Sequence, residues 1–165
     1  MELAAKETIE SIGCELVAAS LRAGHDVRVR VAGGSMVPAL WPGDELMVRP
    51  MGAAEPARGD LLLFVRDGWL CTHRLVDRFD SGGSTQLITR GDAAVTCDPP
   101  QSSDQILGSV VSLFRNGHEL PVVALRRGKI LSLAIRQSDF LRRVILKIHA
   151  LRLYSWKSTQ TQRRA

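Results

Sequence analysis

The stretch Val31-Ala32-Gly33-Gly34-Ser35-Met36-Val37-Pro38-Ala39-Leu40-Trp41-Pro42-Gly43-Asp44 sets one serine between two glycines and a proline. Gly33-Gly34 lets the backbone bend sharply and approach a ligand closely, and Pro38 fixes its own φ, so the Ser35 hydroxyl is held in one pose. Pro42-Gly43-Asp44 closes the stretch as a turn. Its flanks decide the fold class. Val27 to Val31 alternates apolar and charged residues, as a half-buried strand does, and Glu45 to Arg49 reads as the next strand.

Downstream, turn signals keep recurring. Met51 to Arg58 is a loop rich in Ala, Pro and Gly; Gly59-Asp60 opens an apolar strand, Leu61 to Val65; Asp67-Gly68 is a hairpin signal leading to the strand Trp69 to Asp77. Ser81 to Ser84 is another turn, followed by the strand Thr85 to Thr89 and a loop from Arg90 to Gln101. Gln105 to Phe114 is a long β-rich run, and Asn116-Gly117 turns it into Leu120 to Leu125. Many short strands divided by turns predict a mostly β domain, a curled sheet or small barrel.

Helical spacing brackets this domain. Over residues 3–23, Ala5, Ile9, Ile12, Leu16, Ala19 and Ala23 fall on one face, expected to pack on the core or on a copy of itself, with Gly24 as the stop. Arg126-Arg127-Gly128 marks a second boundary. Beyond it Ile130, Leu133, Phe140, Leu141, Val144, Ile148 and Leu151 share one helical face flanked by Arg136, Arg143 and Lys147, and the last nine residues are polar. The chain therefore divides into an N-terminal amphipathic helix (1–26), a β-rich domain (27–125) and a basic helical tail (126–165).

Charge divides the same way. Residues 1–125 hold 11 Lys/Arg and 16 Asp/Glu and residues 126–165 hold 11 and 1, so the overall +5 is a body near −5 and a tail near +10. A basic tail on an acidic body points to an anionic partner. The three cysteines, Cys14, Cys71 and Cys97, show no Cys-x-x-Cys spacing, which argues against a disulfide framework or a zinc site. The first residues are acidic rather than basic-then-apolar, so no secretory signal is expected, and no apolar run approaches the roughly 18 residues of a membrane span. The expected location is cytoplasmic, with peripheral contact at the inner membrane face through residues 129–157, or docking of a partner protein by that segment.

His73 lies on a strand where alternation gives it the face of Cys71 and Leu75. The pattern Ser35-Met-x-Pro38-x-Leu40-x-x-Gly43-Asp44 resembles the nucleophile box of the signal peptidase I superfamily, which includes the self-cleaving repressors of the bacterial SOS response. Gly59-Asp60 with Leu61 to Val65, then His73-Arg74-Leu75-Val76, resembles its second and third boxes. Thr89-Arg90-Gly91-Asp92, with Asp98 six residues later, resembles the next, and Ile106-Leu107-Gly108 to Val111 resembles the closing strand. Common bacterial signal peptidases place a lysine where this chain has His73; the endoplasmic-reticulum and archaeal type places a histidine, and this chain resembles that type.

The resemblance covers roughly residues 28–114 and implies a serine endopeptidase that cuts a precursor protein or peptide, without cofactor or metal. It implies Ser35 as nucleophile, His73 as base, Asp98 as the group orienting the histidine, and Asp92 as a supporting or alternative member. Gly33, Gly34, Met36 and Pro38 fall where substrate and oxyanion are held. Two positions depart from the pattern: relatives often carry a serine where this chain has Gly33, and an asparagine where it has Ala94. In membrane-bound relatives an anchor occupies the position of the polar helix 3–23. Imidazole suits the base role because its unperturbed pKa is about 6.5, and a carboxylate on its other nitrogen fixes the tautomer. Two other classes compete: a peptide-binding module that keeps the groove without catalysis, and a regulator whose basic tail binds nucleic acid. Against the second, residues 1–27 are too short for a helix-turn-helix domain, and the self-cleaving repressors use a lysine base.

Overall fold

The computed structural model describes residues 2–52 and 56–122, with residues 2–11 described by their backbone only. In chain order the elements are α1 (Glu2–Arg22), β1 (Val27–Arg30), β2 (Glu45–Pro50), β3 (Leu61–Arg66), β4 (Trp69–Ser81), β5 (Ser84–Arg90), β6 (Gln101–Ser102), a 3-10 turn (Ser103–Gln105), β7 (Ile106–Arg115) and β8 (His118–Leu120). All pairings are antiparallel, in one sheet ordered β1-β2-β7-β3-β4-β5-β6, with β8 added to β7.

The sheet does not close, which corrects the small-barrel expectation. A barrel needs every strand laddered on both sides, and the terminal strands are four and two residues long and do not pair with each other. Such short edges also protect an open sheet from unwanted pairing. Register shifts at Met47/Val48, Leu63/Phe64 and Leu75/Asp77 bend the strands locally. Both central residues of the Asp67-Gly68 and Asn116-Gly117 turns have positive φ, as two-residue hairpins require.

The apolar run in β3 is explained by burial on both faces. Leu61 and Leu63 enter the main core with Met36, Leu40, Leu46, Val48, Leu107, Val110 and Leu113, while Leu62 and Phe64 enter a second cluster with Leu75, Leu87 and Ile106. β7 passes so close to β2 that a Cβ on Gly108 would lie 2.3 Å from the Arg49 carbonyl. Helix α1 covers the main core with Ala18, Leu21 and the half-buried Val17. This corrects one of the two expected contacts: the face carrying Ile12 and Leu16 does not pack on the core, since both are exposed. The helix is apolar on two opposite sides, and spacing alone does not say which side meets the sheet. The expected strand Leu120–Leu125 is replaced by β8, which ends at Leu120, where Pro121 has no N–H to extend the ladder; residues 123–125, like the basic tail, lie outside the described residues.

Candidate active site

The loop between β1 and β2 presents Ser35. Its neck is closed by the Val31 N–H donating to the Asp44 carbonyl (2.8 Å) and the Gly43 N–H donating to the Val31 carbonyl (2.8 Å). Inside the neck the Asp44 carboxylate, 3% exposed, receives a two-pronged contact from Arg115 at the end of β7 (2.9 and 2.7 Å) and the Trp41 N–H (2.8 Å); Arg115 also donates to the Ala39 carbonyl (3.1 Å). Met36 and Leu40 drop into the main core, and Val37 packs on Ala93. Two anchors fix the loop, and Ser35 itself stays exposed.

His73 comes from β4, paired across to Leu62, with its ring edge-on to Phe64 (centroids 5.7 Å, 72° between planes). Its Nε2 lies 3.1 Å from Ser35 Oγ and its Nδ1 lies 2.6 Å from Asp98 Oδ2. An ionised carboxylate only accepts, so Nδ1 carries the proton and Nε2 is left to accept from the serine hydroxyl. His73 is buried, with its side chain 11% exposed, while Ser35 remains exposed.

Asp98 is held from three further directions. Arg66 Nη1 donates to Oδ1 (2.8 Å), Thr89 Oγ1 donates to Oδ2 (2.6 Å), and the Asp98 N–H donates to the Thr89 carbonyl (2.8 Å). Gln101 donates in turn to the Thr89 hydroxyl (3.3 Å). Burial works against the carboxylate charge, but hydrogen bonds from His73, Arg66 and Thr89 outweigh it and hold Asp98 well below the usual carboxylate range. The bond to Asp98 raises the Arg66 guanidinium in return. Cys71, on the same face of β4, is pushed up by burial and packs as a neutral apolar group, so it offers no thiolate to rival Ser35.

Asp92 does not reach the histidine. Arg74, the next residue of β4, binds it with Nε and Nη2 (2.8 and 2.6 Å) and donates from Nη1 to the Gly59 carbonyl (2.9 Å). Of the two carboxylates expected near His73, Asp98 faces the ring and Asp92 ties the 91–94 loop to the sheet. That loop presses on Ser35: the Ala93 N–H donates to the Ser35 carbonyl (2.9 Å). Gly91 leaves no room beside it, since a Cβ there would sit 2.7 Å from Ser35 O and 3.2 Å from His73 Nε2.

No protein-family model and no curated protein matches this chain. Among the described residues no cluster of His, Cys, Asp or Glu could hold a metal ion, and no helix is long and apolar enough to cross a membrane. Met36 corrects the expectation for substrate contact: its side chain is 2% exposed in the core, so only its backbone borders the cleft. Gly33, exposed, and Gly34, half-buried, precede Ser35, and a Cβ on Gly33 would meet nothing within 4 Å. Pro38, half-buried, follows the cis Val37–Pro38 peptide. Sequence reading missed Arg66, Thr89 and Arg115. Arg66 beside the Asp67-Gly68 turn reads as a solvated hairpin residue, Thr89 as an ordinary strand threonine, and Arg115 as a strand-end charge.

Proposed function

We propose that this chain is a serine endopeptidase that cuts a precursor protein or peptide by acyl transfer, on the plan of the histidine-type signal peptidases. One observation carries the reading: a continuous chain of hydrogen bonds from Ser35 Oγ through both nitrogens of His73 to Asp98. A serine hydroxyl is a poor nucleophile until a base within reach takes its proton. In the proposed cycle His73 Nε2 accepts the Ser35 proton as Oγ attacks the peptide carbonyl. Asp98 stabilises the imidazolium, and Nε2 then delivers the proton to the leaving amine. His73 next deprotonates a water that attacks the acyl-serine, and Ser35 regains its proton as the acid product departs. The oxyanion is stabilised by the Ser35 N–H, and the proton transfers through His73 contribute about 10²–10⁴ in rate.

Gly33 bears on the size of the effect. Relatives often place a serine hydroxyl there, and one missing oxyanion donor costs about 10²–10³ in rate. The same residue favours a second reading, a peptide-binding module without turnover. A proteome-derived peptide library incubated with the parent, Ser35→Ala and His73→Ala and read by mass spectrometry separates them. Cleavage by the parent alone supports the peptidase. Peptides retained but uncut by all three support the binding module, and equal cutting by all three removes both.

A further inference from the structure

A carboxylate beside a catalytic imidazole has two opposed effects. It fixes the tautomer that leaves Nε2 able to accept, and it stabilises the imidazolium, the form that has no room for the Ser35 proton. Asp98 is 10% exposed and in direct contact with His73 Nδ1, so both effects act at short range. Arg66 stands on the far side of that carboxylate. Its Nη1 donates to Oδ1, while His73 and Thr89 share Oδ2. The guanidinium has a second hold. Its central carbon lies 5.1 Å from the centroid of the fully buried Phe64 ring, and that ring meets His73 edge-on. Strand pairing builds the arrangement: Phe64 and Arg66 share a face of β3, and the register with β4 sets Cys71 opposite Phe64 and His73 opposite Leu62. Arg66, Asp98, His73 and Phe64 form a closed circuit of contacts.

Resting on the peptidase reading, we propose that Arg66 is a positioning residue that offsets the Asp98 charge, so that the carboxylate orients His73 without holding it as imidazolium. The other charges around the ring are committed elsewhere. Arg74, next to His73 on β4, and Asp92, from the 91–94 loop, bind each other through two hydrogen bonds. Asp44, in the neck of the Ser35 loop, is bound to Arg115. Asp98 foremost, with Asp67 at the exposed hairpin turn, holds Arg66 in its charged form. Cys71, two residues before His73 on the same face, senses the balance: burial is the main cause pushing its thiol up, Arg66 lowers it and Asp98 raises it. Without the arginine, an uncompensated negative charge faces the imidazole. A charge two hydrogen bonds away moves a titration by about one pH unit. The direction is upward, because the imidazolium gains, and the base is then available only at higher pH.

Three variants of the full chain test it. Arg66→Gln removes the charge and keeps a donor for Asp98, Arg66→Met removes the charge and keeps the apolar stem, and Arg66→Lys keeps the charge. The His73 ring is followed by proton NMR against pH, its resonance being the one missing from His73→Ala, and dispersion of the sheet amides verifies the fold. The titration midpoint rises by about one pH unit in Arg66→Gln and Arg66→Met and stays near the parental value in Arg66→Lys. Labelling of Ser35 by a small fluorophosphonate slows about 10-fold on the acid limb of its pH profile in the two uncharged variants. The gap closes on the alkaline side, whereas a merely structural defect slows labelling at every pH. A midpoint that Gln and Met leave in place, or that Lys moves as far as they do, overturns the assignment, and so does a rate deficit independent of pH. An unlabelled Ser35 in the parent removes the peptidase reading instead, and the histidine titration still decides what Arg66 does to His73.

Discussion

Gly91→Ala adds one methyl group at the tightest point of the site. Its Cβ would stand 2.7 Å from Ser35 O, a backbone atom, and 3.3 Å from Ser35 Cβ. Reaching an ordinary contact of 3.4 Å requires a retreat of about 0.7 Å, the difference between the two distances. The Ala93 N–H bond to that same carbonyl resists the movement, so the Ser35 hydroxyl is displaced relative to His73. A misplacement near 1 Å costs about 10²-fold in rate, and overpacking costs about 1–3 kcal/mol of stability, a Tm lower by about 3–9 °C. The assay is peptide cleavage per folded molecule, beside thermal unfolding. Gly13→Ala on α1, where a Cβ meets nothing within 4 Å, serves as the control. A folded Gly91→Ala protein that cleaves at the parental rate would refute the claim that Gly91 sets the Ser35–His73 approach.

Three further outcomes follow from the same geometry. Asp98→Asn lowers the cleavage rate by about 10⁴-fold through loss of the histidine tautomer, whereas Asp92→Asn mainly costs stability, about 3 kcal/mol from breaking a largely buried pair with Arg74; unfolding and kinetics on both variants separate the roles. Because the folded Asp98 carboxyl is depressed, it binds its proton less readily than in the unfolded chain. Its stabilisation is therefore present above about pH 4 and lost as pH falls further toward the folded value, so Tm curves of parent and Asp98→Asn converge on the acid side. A Cβ at position 33 meets nothing within 4 Å, and Gly33→Ser raises kcat by up to about 10²-fold if its hydroxyl reaches the oxyanion; an unchanged kcat in steady-state kinetics would count against that placement.

Much of the fold is legible in local chemistry. β3 announces its two-sided burial as an uninterrupted apolar run, and Asp67-Gly68 and Asn116-Gly117 announce their hairpins through residues that tolerate positive φ. What fails is information held between segments. Closure depends on whether β1 and β6 meet, and nothing in four and two residues encodes that. The packing side of α1 is ambiguous because Ile12/Leu16 and Val17/Leu21 form stripes of equal standing. At the site, Ser35 and His73 stand out by pattern, but the choice between Asp92 and Asp98 depends on the arginine each one meets. Arg74 takes the first and Arg66 the second, across 18 and 32 residues of sequence. Met36 misleads for a related reason: adjacency to Ser35 suggests the cleft, while its side chain turns into the core.

The central claim is that Ser35 is activated by His73. Mass spectrometry of the intact protein after reaction with a small fluorophosphonate, followed by peptide mapping, tests it most directly. The account predicts one adduct, on Ser35, absent in Ser35→Ala and at least about 10²-fold slower in His73→Ala. An unmodified Ser35 in the folded parent, or an adduct forming equally fast without the imidazole, would contradict it.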